Sequence, residues 1–352
     1  MAELVVYGSY GYTGRLIVEQ ALAQGFRPLL SGRDATALRA QAEALGLDWQ
    51  PALLDEPDAL VRLLRDARVV LHCAGPFSRT SRPMADACLT TRTHYVDITG
   101  EVEVFESLAA RDAEAKMAGI MLLPGGGFDV VPSDCLAAHV ARRLPSATHL
   151  RLAFRASGGI SRGTATTMIE NLHRGGLVRR DGRLVRVPTA WKTRLIDFGR
   201  GPMLSVTIPW GDVSTAFHST GVPNVEVYAS APASRIRAMR AVQRVRWLLA
   251  QPVVRQALTK LVRRGEPGPS AEQRRRGESL LWAEAIDGSG HRAVARLRGP
   301  EGYTMTALTS VAIARRALEG QAPAGFQTPS LAYGSDFILT IPGVVREDLP
   351  SI

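Results

Sequence analysis

Three glycines stand three residues apart in Val5-Val6-Tyr7-Gly8-Ser9-Tyr10-Gly11-Tyr12-Thr13-Gly14, directly behind a short apolar run. A turn between a buried strand and a helix brings backbone close to whatever lies beyond the strand's C-terminal end. Gly8 permits the tight turn, Gly11 lets a diphosphate approach with no Cβ in the way, and Gly14 lets the helix pack on the sheet. The helix starting near Thr13 then offers free N–H groups and the positive end of its dipole to an anion. Gly8, Tyr10, Gly11, Tyr12, Thr13 and Gly14 are therefore the expected phosphate-cradling set. The spacing G-x-x-G-x-x-G varies the better-known G-x-G-x-x-G, and its place between strand and helix is what makes it specific.

The next strand-like segment, Leu29-Leu30-Ser31-Gly32-Arg33, carries no Asp or Glu at its tip to take ribose hydroxyls. A hydroxyl (Ser31) and a guanidinium (Arg33) stand there instead, a pair suited to the 2′-phosphate of NADP(H). Asp34 suits the N-cap of the following helix. Asp55, placed at the end of a short third strand, is either an adenine-edge contact or a cap before Pro57. Behind the fourth strand comes Cys73-Ala74-Gly75-Pro76-Phe77. Ala74 and Gly75 should border the cofactor, and Pro76 and Phe77 offer a flat apolar wall for a nicotinamide ring.

Tyr95 and Asp97 fall on one face of the fifth strand by the two-residue period, and Glu101 follows at a helix start. Hydride addition to C=C or C=N leaves a site that must gain a proton, so an acid within reach is chemically useful. Tyr95, Asp97 and Asp129 are the catalytic candidates, each with a structural alternative. Asp129 follows the glycine triplet Gly125-Gly126-Gly127 and precedes Ser133 and Asp134, which suit helix caps. His72, His94 and His218 have no metal-ligand spacing, and Cys73, Cys88 and Cys135 form no CxxC; no metal site is expected.

These residues need elements to hold them. Through residue 125, strand-like and helix-like patterns alternate with short turns, the signature of a doubly wound parallel sheet. Strands are expected at Leu4–Tyr7, Pro28–Ser31, Leu53-Leu54 ending at Asp55, Val69–Cys73, Tyr95–Asp97 and Ile120–Leu123. Helices are expected at Thr13–Gln24, Asp34–Leu45, Asp58–Leu64, Pro83–Leu89 and Val102–Met117. After the glycine triplet the alternation gives way to segments such as Leu150–Arg155, Leu204–Ile208 and Val225–Tyr228, then the hairpin pattern Ser279–Asp287 and Ala293–Arg298. The fold class is therefore α/β: an N-terminal Rossmann domain plus a second α+β domain with a mixed or antiparallel sheet. The expected boundaries are 1–125 joined by a C-terminal helix region 303–352, with 126–302 as the central domain.

The formal charge of +10 is local. Residues 235–276 hold twelve Arg and Lys against Glu266 and Glu272, the whole of the excess. A helical stretch over 235–264, broken at Pro252, places Arg237, Arg240 and Arg244 on one stripe. Val245, Leu249, Leu258 and Leu261 run beside the cations, including Arg263 and Arg264. Such a stretch fits an anionic membrane surface, an acidic carrier protein or an ordinary solvated face. With Trp247 its one aromatic residue, it lacks the interleaving that single-stranded nucleic-acid binding needs. No window approaches the roughly 18 apolar residues of a membrane span, and no signal-peptide pattern opens the chain. Cytoplasmic localisation, with peripheral membrane association as the variant, is the expectation.

In order along the chain, GSYGYTG, SGR, HCAGPF, HYVDITGE and LPGGGFDVVPSD together resemble the saccharopine dehydrogenase-like oxidoreductases, in particular the branch with trans-acting enoyl reductases. The match is specific to about residue 135, and looser at Gly163–Thr167, Ser219–Tyr228 and Gly299–Ala307. It implies a Rossmann domain, a central α/β domain covering the nicotinamide, and a reduced nicotinamide as hydride donor. Family members commonly carry a cysteine and a serine before the central domain; Gly126 and Val130 stand there, so no catalytic cysteine is inferred. The resemblance implies NADPH-dependent reduction of a C=C conjugated with a thioester or carbonyl, on a small-molecule or carrier-bound acyl chain. The alternatives are the same chemistry on a C=N or amino-acid-type substrate, and a non-catalytic, membrane-associated NADP-binding protein. A homodimer is compatible with each.

Overall fold

Short runs, most of them apolar and covered on both faces, build the first sheet. In the computed structural model, which describes residues 3–350 apart from 158, 172, 173, 245, 250, 263 and 264, its strands are β1 (Leu4–Tyr7), β2 (Leu29–Gly32), β3 (Trp49–Pro51), β4 (Val69–His72), β5 (His94–Asp97) and β6 (Met121–Leu123). A short strand from far along the chain, Gly325–Phe326, adds to β6. Every pairing is parallel, and the spatial order is Gly325–Phe326, β6, β5, β4, β1, β2, β3. Strand order reverses direction between β1 and β4, so the carboxyl ends of these neighbours border the crevice in which open α/β sheets hold ligands. Val5, Val70, Leu60, Leu64, Met84 and Leu122 share one core on this sheet.

The third strand ends at Pro51, not at Asp55. Leu53-Leu54 is a half-exposed turn ahead of the helix Pro57–Leu64, while Trp49, Gln50 and Pro51 take the register opposite Leu30, Ser31 and Gly32. The helix expected at Pro83–Leu89 starts already at Phe77 and runs to Thr91, with Pro83 inside it. The expected Val102–Met117 helix is two, Val102–Ala109 and Asp112–Ala118. Between them Arg111 leaves helical backbone angles and ion-pairs with Asp86 at 2.6 Å and Glu114 at 2.9 Å.

The second sheet has nine strands and is mixed. Asn224–Ser230 and Ala147–Ala156 pair in parallel; the hairpin Glu278–Asp287 with Arg292–Pro300 and the other pairings are antiparallel. The chain divides into two compact units, 1–131 with 303–332, and 132–302 with 333–352. The returning segment thus differs from the expected 303–352. Its last part joins the second unit, where Val345–Leu349 pairs with Arg292–Pro300 as an outer strand.

Among the described residues the basic stretch is helical over Ala233–Arg244, Arg246–Leu249 and Pro252–Val262. The expected break falls at Pro252, which opens the next helix, the position where its missing N–H costs nothing. Ile236 and Met239 pin the first of these helices to Ala190 and Val206. Val245, Arg263 and Arg264 lie outside the described residues. Among the described residues no helix is long and apolar enough to cross a membrane.

Candidate functional site

The glycine turn is demanded by its own backbone. Gly8 adopts φ +81°, and its N–H donates to the Ser31 carbonyl at 2.7 Å. A Cβ on Gly14 would lie 2.2 Å from the Gly8 carbonyl oxygen, so no other residue fits the first turn of the helix Tyr12–Ala23. Gly11 is the N-cap, in extended conformation, and no side chain caps this end; no acidic residue stands in the first turn. Ser9 is braced from outside the turn: its hydroxyl donates to Gln41 Oε1 at 2.8 Å, and Gln41 Nε2 donates to the Ser9 carbonyl at 3.0 Å. A helix start without side-chain acceptor or acid, held by a rigid turn, has the donor set a diphosphate needs.

At the tip of β2 the two expected phosphate ligands separate. Ser31 is fully buried and its hydroxyl donates to the Gln50 carbonyl at 2.7 Å. Because both faces of the strand are covered, Ser31 ties β2 to β3 and does not face a ligand. Arg33 is exposed. Asp34 caps the following helix, accepting from the Thr36 and Ala37 N–H groups at 3.0 and 3.1 Å. The Tyr10 hydroxyl accepts from the Asp34 N–H at 3.2 Å, and its ring lies so close on Gly32 that a Cβ there would stand 2.7 Å away. Arg15 Nε donates to the Tyr10 carbonyl. An aromatic ring and exposed cations therefore share this corner. Asp55 sits in the exposed turn after β3, away from the strand end expected for it.

Across the crevice, Ala74 abuts Gly8: a Cβ on Gly8 would stand 3.0 Å from the Ala74 amide nitrogen. The Ala74 carbonyl is held by the Thr80 hydroxyl at 2.7 Å, and Thr80 also bonds His72 Nε2 at 3.0 Å. Burial pushes the His72 imidazole down to about 3, keeping it neutral. Phe77 turns its ring into the core, edge-on to His72 at 5.4 Å, so it is no wall for a ligand. Gly75 remains exposed, with Ala74 and Pro76 half-buried beside it. Glu101 closes the helix that begins at Phe77: its two carboxylate oxygens accept from the Phe77 and Ser78 N–H groups at 2.8 and 3.0 Å.

Tyr95 and Asp97 do share a face, as the period requires, but it is an inward one. Both are fully buried. The Tyr95 hydroxyl donates to Asp97 Oδ2 at 2.6 Å, while Asp97 Oδ1 accepts from the Thr99 and Gly125 N–H groups, each at 2.9 Å. Burial raises the Asp97 carboxyl to about 6 and the Tyr95 phenol well above its ordinary range. With those hydrogen bonds made inside the unit, the pair anchors the β5–β6 loop and is withdrawn as a catalytic acid. Asp129 differs. Its carboxyl stands beside Gly100, where a Cβ would come within 2.9 Å of its oxygen, and burial lifts it to about 7. The triplet Gly125–Gly127 is packed as tightly, with Thr309 donating to the Gly126 carbonyl and Thr306 accepting from the Phe128 N–H.

Residues 4–123 match the family of saccharopine dehydrogenase NADP binding domains. The N-terminal segment is thus similar in sequence to NADP binding domains of that family. Over 150 residues the chain is 34% identical to the trans-acting enoyl reductases of Mycobacterium ulcerans and of Mycobacterium leprae, a match covering 40% of this chain and 36% of each relative. The chain thus matches little more than a third of the length of these relatives. In fold it is similar to the apo saccharopine dehydrogenase (L-Glu forming) of Saccharomyces cerevisiae, with a TM-score of 0.66 and 10% identity, over 99% of this chain and all of that one.

Within the first unit, sequence reasoning missed the supports. Gln41 bracing Ser9, and Tyr303 meeting Tyr12 edge-on at 5.0 Å, leave no local pattern because their partners are distant in the chain. Glu101 had a signal, an acid at a helix start, but it serves the helix at Phe77 rather than the one that follows it.

Proposed function

We propose that this chain is an NADPH-dependent reductase that delivers hydride to a C=C conjugated with a thioester or carbonyl of an acyl chain. The observation that carries the proposal is the open, glycine-built helix start next to exposed Arg33, within a domain whose relatives include trans-acting enoyl reductases. NADPH, when bound, supplies the hydride. The backbone from Gly11 to Gly14 would hold the diphosphate, Arg33 the 2′-phosphate with Tyr10 beside it, and Ala74, Gly75 and Pro76 would border the nicotinamide half. Asp129, protonated near neutrality, would return the proton that completes saturation.

Titration of purified protein with NADPH and NADH tests the cofactor half. Arg33→Ala should weaken NADPH about 10- to 100-fold, a loss of about 1.4–2.8 kcal/mol, and NADH less than about twofold. Equal losses for both would remove the assignment. NADPH oxidation on panels of enoyl thioesters and of imines tests the substrate half; turnover on imines alone would replace the enoyl reading with the amino-acid-type one. Asp129→Asn should lower kcat about 100-fold or more, and wild-type kcat should fall as pH rises through about 7, where the carboxyl gives up its proton.

A further inference from the structure

The basic helices of the second unit carry apolar side chains on the side that folding leaves outward. Along Pro252–Val262, residues 254, 255, 258, 259 and 262 are half-buried, while 253, 256, 257, 260 and 261 are exposed. At 100° per residue these are two opposite arcs of one helix. The inner arc faces the packed side, where the helix contacts Arg162–Asn171. The outer arc reads Val253, Gln256, Ala257, Lys260 and Leu261: three apolar residues, one cation and no carboxylate. Val253 is 76% exposed and Leu261 65%, and Trp247 on the preceding short helix is 66% exposed. Met168, on the helix beneath, and Ile160, just before it, are exposed as well. A single exposed apolar residue such as Met117 is ordinary. Five on adjoining segments, three of them inside the stretch that holds the protein's whole positive excess, is a different situation.

We infer that this face docks on an anionic lipid surface, with Trp247, Val253 and Leu261 entering the boundary between headgroups and acyl chains. The surrounding Arg and Lys side chains meet lipid phosphates. The mixture selects this occupant. Twelve cations against two carboxylates need fixed negative charge, exposed Trp, Val and Leu need hydrocarbon, and an anionic bilayer interface offers both at one depth. Helix Ala233–Arg244 supports the arrangement: Ile236 and Met239 hold it to the core while Arg235, Arg237 and Arg240 stay exposed.

Co-sedimentation of the full chain with phosphatidylcholine vesicles, and with vesicles containing about 30% phosphatidylglycerol, tests the inference at low and high salt. The anionic vesicles should be preferred at least about tenfold, and the preference should shrink as salt rises. Trp247→Ala with Leu261→Ala should lower partitioning about tenfold, Arg235→Glu with Arg237→Glu should abolish the lipid preference, and Met117→Ala should change nothing. Circular dichroism and NADPH titration confirm that each variant is folded and independent of the cofactor site. Absence of pelleting with anionic vesicles, or equal binding to neutral ones, overturns the inference. Binding to polyglutamate without binding to vesicles overturns it too, in favour of an acidic protein partner.

Discussion

Two helices leave the carboxyl ends of neighbouring parallel strands, β1 and β4, and they are finished in opposite ways. The helix at Tyr12 begins on glycine, with no side-chain cap and no acid in its first turn. The helix at Phe77 begins under the carboxylate of Glu101, which takes two of its N–H groups. Any helix start is an incipient anion site, because its first N–H groups lack partners and its dipole is positive there. Two open starts side by side would compete for the same diphosphate. The protein supplies its own anion to one and leaves the other to a ligand. The lesson is that an anion site is defined as much by which helix ends are closed as by which are open.

The open end breaks most completely. Gly14→Ala forces a methyl group into the Gly8 carbonyl, so the turn must shift; NADPH affinity should fall more than about 100-fold and stability by about 3 kcal/mol. Calorimetry and thermal melts measure the two, and an unchanged dissociation constant would show that the turn is not the diphosphate cradle. At the closed end, Glu101→Ala should cost about 1–2 kcal/mol through two orphaned N–H groups. It should also create a second anion site: sulfate should raise the melting midpoint of the variant more than that of the wild type. If it does not, the two ends are not equivalent in kind.

A pH series sharpens the comparison further. His72, packed between Tyr7 at the end of β1 and Phe77 at the capped helix, is held near 3 by burial, below its ordinary 6.5. Between those values the unfolded chain binds more protons than the folded one, so stability falls as pH drops from about 6.5 toward 3. Asp129 has the opposite sign: raised to about 7, it makes the folded state the better proton binder above about 4, and stability declines as pH rises to 7. His72→Gln should flatten the acid limb, by about 2 kcal/mol at pH 5, in urea titrations across pH. An unaltered acid limb would mean that the imidazole is not kept neutral by the packing at the β4 end.

The sequence reveals the open end readily, since a strand, three spaced glycines and a helix are contiguous. It does not reveal which polar residues of a doubly covered strand can be reached. Ser31 is placed by its position at a strand tip and Tyr95 and Asp97 by periodicity on one face, and that face is real, as the Tyr95–Asp97 hydrogen bond shows. A parallel strand packed on both sides has no wet face, however, so period alone cannot separate a ligand contact from an internal tie. Phe77 misleads for a similar reason: an apolar ring at a loop end can line a pocket or plug a core, and here it plugs the core. Asp55 failed through register. Leu53-Leu54 imitates a strand, while the true one uses Trp49-Gln50-Pro51, whose composition signals little. The Asp34 cap was legible because that residue stands where the chain leaves the sheet, and Arg33 beside it is exposed.

The outermost strand of the first sheet, Gly325–Phe326, has a consequence for how this protein must be made. Residues 132–302, which belong to the other unit, come between β6 and this strand, so a nascent chain that has finished β6 still lacks the neighbour that shields it. The bare edge of β6 persists until Gly325 and Phe326 have been made, a window in which stray pairing with other chains is open. A fragment ending at residue 302 would keep that edge for good.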